Sequence, residues 1–126
     1  VDETGFVRIA RREGEHYRVV SEVDAPRGRA DHFGDALAFA GDGETLFVAR
    51  TFGGVSTGEI ATFDHRGESF VGGRVLRPSE RAKSTWAAPG SRYGTRIAAS
   101  RDHLFASAPW GLSKPGAVGV YSFGPK

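Results

Sequence analysis

The chain has 126 residues, 39% hydrophobic and 25% charged, with 18 glycines, no cysteine and 17 basic against 15 acidic side chains. That balance suits one soluble globular domain and argues against disorder, a disulfide framework, thiol chemistry or an apolar run long enough to cross a bilayer. A formal charge of +2 is too slight for a nucleic-acid surface, which needs a clustered basic face.

The opening VDETGFVRIA lacks the charged-then-apolar profile of a secretion signal. Within it, GFVRIA from Gly5 sets Val7 and Ile9 two apart, the period-two alternation of a half-buried strand. A turn containing Glu13-Gly14 leads to a second strand, HYRVVSEV (His16–Val23). The next run, FGDALAFA, opens on an aromatic-Gly pair, Phe33-Gly34. It passes through Gly41-Asp42-Gly43, whose Asp-Gly pair supplies the positive φ of a tight hairpin, into LFVAR ending at Arg50. GEIATF from Gly58 and SFVGGRVL (Ser69–Leu76) then repeat the first two strands, with Gly58 lying 53 residues after Gly5 and Arg66-Gly67 at the turn. YGTRIAAS (Tyr93–Ser100), LFASAP ending at Pro109 and GAVGVY from Gly116 repeat the pattern again, Gly116 falling 58 residues after Gly58.

Four strand types account for the whole chain: A, the aromatic-Gly run; B, the Leu-Phe run; C, the Gly-started run; and D, the Tyr/Phe run. The order is C-D, A-B-C-D, A-B-C, nine strands in a single segment over 1–126. Short four-stranded units at a period of roughly 50 residues predict an all-β fold of β-propeller blades, each of four antiparallel strands, with about two blades in this chain. Closed propellers need typically four or more blades. Two blades therefore predict an open segment with unpaired strand edges. Three situations satisfy those edges: a longer chain, homo-oligomerisation into a ring of heterologous contacts, or a covering partner.

The aromatic-Gly entry, apolar run, turn, Leu-Phe run, Ala-Pro and Gly-Ala-Val-x-Val-aromatic series resembles FG-GAP repeats, the units of the integrin α-subunit β-propeller and of many secreted or surface bacterial proteins. Phe33-Gly34 and Tyr93-Gly94 match the "FG", and Ala108-Pro109 matches the "AP", which Arg50-Thr51 replaces in the first copy. The resemblance implies an adhesion, binding or assembly role outside the cytoplasm. Many members carry a calcium loop between strands A and B. Here those connections, 40–44 and 100–103, are too poor in carboxylates for the six to eight oxygens calcium takes. No metal and no other cofactor is expected.

Antiparallel blades put the D–A and B–C connections on one face and the tight A–B and C–D turns on the other. The longer face comprises Asp24–His32, Arg50–Thr57, Arg77–Arg92 and Ala108–Pro115. Loops on a rigid scaffold are where binding residues gather. Arg27, Arg29, Arg50, Phe52, Arg81, Trp86, Trp110 and Lys114 are the candidate ligand-binding residues there. Arginine offers a planar fork for acidic groups, and tryptophan offers stacking area for a glycan or protein ligand. The alternative is that Trp86 and Trp110 pack over blade seams while the arginines solvate the loops.

Enzyme signals are poor. Asp-His occurs at Asp31-His32, Asp64-His65 and Asp102-His103, but at non-equivalent places, and the turn propensity of Asp accounts for them. There is no Gly-x-Ser-x-Gly elbow and no paired-ligand spacing for zinc. Phe52-Gly53-Gly54 lacks the following helix and lysine of a phosphate cradle. The expectation is a non-catalytic binding or assembly module, with no nucleic acid and no membrane insertion. Its expected partners are a protein or glycan and further blades, in a longer chain or in other copies. The alternative is an accessory subunit that completes a larger propeller or complex and has no ligand of its own.

Overall fold

A computed structural model describes residues 5–25, 32–51, 58–77, 91–109 and 116–123. These residues form nine strands and no helix: β1 (Phe6–Glu13), β2 (His16–Asp24), β3 (Phe33–Phe39), β4 (Thr45–Arg50), β5 (Glu59–Arg66), β6 (Ser69–Leu76), β7 (Ile97–Ala99), β8 (His103–Ala108) and β9 (Ala117–Ser122). They pair antiparallel in chain order as sheets of two (β1-β2), four (β3-β4-β5-β6) and three strands (β7-β8-β9). The fold is all-β, and among the described residues no sheet closes on itself.

The turns follow local chemistry. Gly14-Glu15 joins β1 to β2 and Gly67-Glu68 joins β5 to β6, each across a closing pair, Glu13↔His16 and Arg66↔Ser69. Both glycines have positive φ (65° and 64°) while the glutamates after them do not, the type II′ arrangement that matches strand twist. In the β3–β4 connection Gly43 takes φ 76°. Asp42 Oδ1 accepts the Glu44 N–H at 2.9 Å, and the Gly43 N–H donates to the Ala40 carbonyl at 2.8 Å.

The aromatic-Gly entry is less regular than the alternation predicts. β7 spans only Ile97–Ala99, shorter than the expected Tyr93–Ser100, and the β3–β4 register shifts between Phe33 and Ala36. The cause is the same in both units. The residue before each aromatic is left-handed (His32 φ 58°, Arg92 φ 57°), and so is the glycine after it (Gly34 φ 100°, Gly94 φ 90°). Two left-handed positions flanking one residue interrupt the ladder as a bulge does. They leave Phe33 and Tyr93 buried, at 4% and 0% exposure.

Packing of the sheets on one another makes two cores. β1 packs against β3, β2 beside β6, and β3 against β7. In β4 successive side chains point to opposite faces, and both faces are covered. Leu46 and Val48 join Val23, Phe33, Ala61, Phe63 and Phe70 in the first core, with Val7 and Ile9 against them. Phe47 and Ala49 join Ile60, Tyr93, Leu104, Ala106 and Ala108 in the second. That double burial explains why Leu46–Ala49 is an unbroken apolar run.

Each seam between sheets is set by a glycine. A Cβ on Gly5 would overlap the Phe33 carbonyl oxygen, and a Cβ on Gly58 would overlap the Tyr93 carbonyl oxygen. The strands opening on Gly5 and Gly58 thus lie directly against the aromatic-Gly entry of the following unit, closer than any residue with a side chain permits.

Candidate ligand face

The ends of the strands sort into two classes. Residues 32–35, 50–51, 58–59, 76–77 and 91–94 lie at the end that the longer connections join. The hairpins at Gly14, Gly43 and Gly67 and the Ser100–Asp102 turn lie at the other. Arg27, Arg29, Phe52, Arg81, Trp86, Trp110 and Lys114 fall outside the described residues, as does Asp31.

Arg50 is the one candidate that the structure places. It is the last residue of β4, not the first of a loop, and is 9% exposed. Ladder register sets it directly opposite Glu59, the first residue of β5, and its guanidinium is ion-paired to that carboxylate. Glu59 is itself buried, at 4% exposure, and its Oε2 lies 2.8 Å from Arg77 Nε, whose side chain is 45% exposed. That second contact supplies charge without hydrogen-bond alignment, because Oε2 has no well-aligned donor. Arg50 therefore serves the base of this face, and Arg77 is its more exposed cation. A buried pair of this kind repays its desolvation only while both partners remain.

Around this pair the same end carries further polar bonds. The Thr51 hydroxyl donates to Asp35 Oδ2, and Asp35 Oδ1 lies 3.7 Å from His32 Nδ1. Ser91, 2% exposed, has no hydrogen-bond partner for its Oγ among the described residues. Below it the Tyr93 hydroxyl is hydrogen-bonded to the Tyr121 hydroxyl. Burial pushes both phenols above the ordinary tyrosine range, and the bond to Tyr121 adds to the effect at Tyr93.

At the opposite end a cavity of about 770 Å³ opens between the second and third sheets. Asp42, Asp64, Arg74, Arg101, Asp102 and Tyr121 are among its lining residues. Sequence reasoning set this end aside as tight turns. The lining comes from segments far apart in the chain, so only the packing of the two sheets assembles it. Its carboxylates are partly engaged: Asp64 Oδ1 accepts from the Thr45 hydroxyl at 3.4 Å, and Asp102 Oδ1 lies 2.7 Å from His103 Nδ1. Among the described residues no group of three or more His, Cys, Asp or Glu side chains is placed to hold a metal ion.

The Asp-His pairs do not converge. His65 stacks on Phe70 with ring centroids 4.8 Å apart and lies 3.7 Å from Glu44, while His103 is occupied by Asp102 in its own turn. His32 sits at the other end of the strands, beside Asp35.

No protein-family model matches the chain, and no curated protein matches it.

Proposed function

We propose that the chain is a run of FG-GAP-like β-propeller blades, a non-catalytic module for binding, adhesion or assembly that works outside the cytoplasm. Its ligand, a protein or a glycan, meets the end of the strands from which the longer connections leave. The observation that carries this reading is the repeated seam. Gly5 lies against the Phe33 carbonyl and Gly58 against the Tyr93 carbonyl, so each unit joins the next by the same contact. Such repetition is the physical requirement of a radial or linear stack, where each unit touches only its neighbours.

The buried Arg50–Glu59 pair and the half-exposed Arg77 make a charged floor at that end. Arg27, Arg29, Phe52, Arg81, Trp86, Trp110 and Lys114 belong to connections that leave from it. Connections rich in arginine and tryptophan on a β scaffold are where acidic, glycan or protein ligands bind.

Glycan-array binding and immobilised-protein pull-down test the reading, with Trp86→Ala and Trp110→Ala as the diagnostic variants. Binding lost at unchanged stability supports it. Unfolding of both variants assigns the tryptophans to blade seams instead. Absence of any ligand, together with tight assembly onto a partner chain, supports the accessory-subunit reading.

A further inference from the structure

The third sheet repeats the second almost position for position, but the two differ in what covers them. The hydrogen bond from His65 N–H to the Glu44 carbonyl recurs 58 residues later as Phe123 N–H to the Asp102 carbonyl, each at 2.9 Å. On that period Phe105 matches Phe47, Val118 matches Ile60, and Val120 matches Thr62. In the second sheet these positions are buried: Phe47 at 2% and Ile60 at 0% exposure pack against the third sheet, and Thr62, at 7%, accepts the Arg74 N–H of its own sheet. In the third sheet the same positions are open: Phe105 is 41% exposed, Val118 63% and Val120 57%. Phe105 pairs directly with Val120 and lies opposite Ala98, so the exposed side chains form one continuous apolar strip.

The glycine of the seam recurs as well. Gly116 has φ 84°, close to the 90° of Gly58. Gly58 lies against the next unit's aromatic carbonyl, whereas a Cβ on Gly116 would meet nothing nearer than its own unit's Pro109 carbonyl oxygen, at 3.2 Å. Gly116 thus keeps the backbone of the Gly58 seam, and among the described residues no following unit lies on it.

We propose that the outer face of the third sheet is the seat of a further repeat of this type, whose aromatic-Gly entry lays its carbonyl on Gly116 and whose B strand covers Phe105, Val118 and Val120. This rests on the reading of the chain as stacked blades and names the partner of the stack. A second copy of these 126 residues does not supply the occupant. Its two aromatic-Gly entries, Phe33-Gly34 and Tyr93-Gly94, are already seated on Gly5 and Gly58. Its first sheet holds β1 and β2 alone and brings no aromatic-Gly entry of its own to Gly116, although Phe6, Tyr17 and Val19 stand exposed on it beside the Arg8–Glu22 pair. The occupant is a repeat additional to those described.

The chain has no cysteine, so a single introduced thiol reports burial cleanly. Val118→Cys is made in the 126-residue chain and in a chain extended by a second copy of residues 69–126, which continues the 58-residue period. Thiol labelling rates are referred to Glu15→Cys in the exposed β1–β2 turn. The expected result is fast labelling of V118C in the shorter chain and a fall on the order of 100-fold or more in the extended one, as for a site that reacts only through local opening. Gly116→Val in the extended chain should restore labelling, because a side chain there blocks the seam. If far-UV circular dichroism shows the extension folded and V118C still reacts fast, the face assignment falls while the blade reading stands. If the extension stays unfolded, both fall. Protection of V118C in the shorter chain that grows with protein concentration identifies a second copy as the occupant and also overturns the proposal.

Discussion

Substituting Gly58 by alanine tests the seam directly. Two costs act there. The backbone sits at φ 90°, outside the region an L side chain adopts comfortably, which costs about 1–3 kcal/mol. The new Cβ would also overlap the Tyr93 carbonyl oxygen, with the Tyr93 carbonyl carbon at 3.1 Å and the Thr51 carbonyl oxygen at 3.3 Å. All are backbone atoms that cannot rotate away, so the second and third sheets must part, which adds about 1–3 kcal/mol by analogy with overpacked cores. Two other glycines separate these costs. Gly14→Ala has φ 65° and nothing within 4 Å, and Gly116→Ala has φ 84° with its nearest atom at 3.2 Å, so both pay mainly backbone strain. Urea unfolding followed by far-UV circular dichroism should rank Gly58→Ala below both in midpoint at unchanged slope, by about 1–3 kcal/mol. A loss at Gly58 equal to that at Gly116 would refute the seam as a close-packed joint. Against a total stability of about 5–15 kcal/mol, the larger loss is easily measured.

Other substitutions probe the cores and the buried charges. Phe47→Ala should cost about 3–5 kcal/mol, the usual price of a large core deletion, whereas Phe105→Ala at the matching but exposed position should cost less than half as much; urea midpoints compare the two. Glu59→Ala removes the buried carboxylate paired with Arg50 and should cost about 3–5 kcal/mol, whereas Glu22→Ala breaks an exposed pair with Arg8 and should cost less than about 1 kcal/mol. The tyrosine pair predicts an alkaline limit. Tyr93 and Tyr121 titrate above the ordinary phenol range in the folded chain, so above that range the unfolded chain holds fewer protons and stability falls as pH rises. The full contribution is present below the unfolded phenol pKa of about 10 and declines above it, by at most about 1.4 kcal/mol per pH unit for each tyrosine and only until that tyrosine ionises in the folded chain. Tyr93→Phe should flatten that decline between pH 10 and 11.5, and an unchanged slope would remove Tyr93 from the account.

The fold was legible in the sequence wherever its cause is local. The glycines at 14 and 67 announce two-residue turns because only a residue without Cβ enters a type II′ turn freely. The C-D, A-B-C-D, A-B-C order matches the sheets of two, four and three strands because each unit carries its own alternation and its own punctuation. The extent of β7 was not legible. Arg92 carries no sign of the left-handed backbone that delays the strand until Ile97, and packing of Tyr93 in the seam holds it there. Arg50 read as a loop cation for a similar reason: its place opposite Glu59 is a matter of register, which one strand alone does not specify. The cavity bounded by Asp64, Arg74 and Tyr121 had no signal at all, since three separate strands must meet before it exists.

The two Leu-Phe pairs divide what the chain determines alone from what its neighbours determine. Leu46-Phe47 and Leu104-Phe105 are the same dipeptide in the same kind of strand, and the sequence by itself makes both of them strand with the leucine on one face and the phenylalanine on the other. Both leucines are buried, at 1% and 0% exposure, whereas Phe47 is 2% and Phe105 41% exposed. Alternation assigns a side chain to a face, but burial of that face requires a second surface against it. The third sheet supplies that surface to Phe47, and among the described residues nothing supplies it to Phe105.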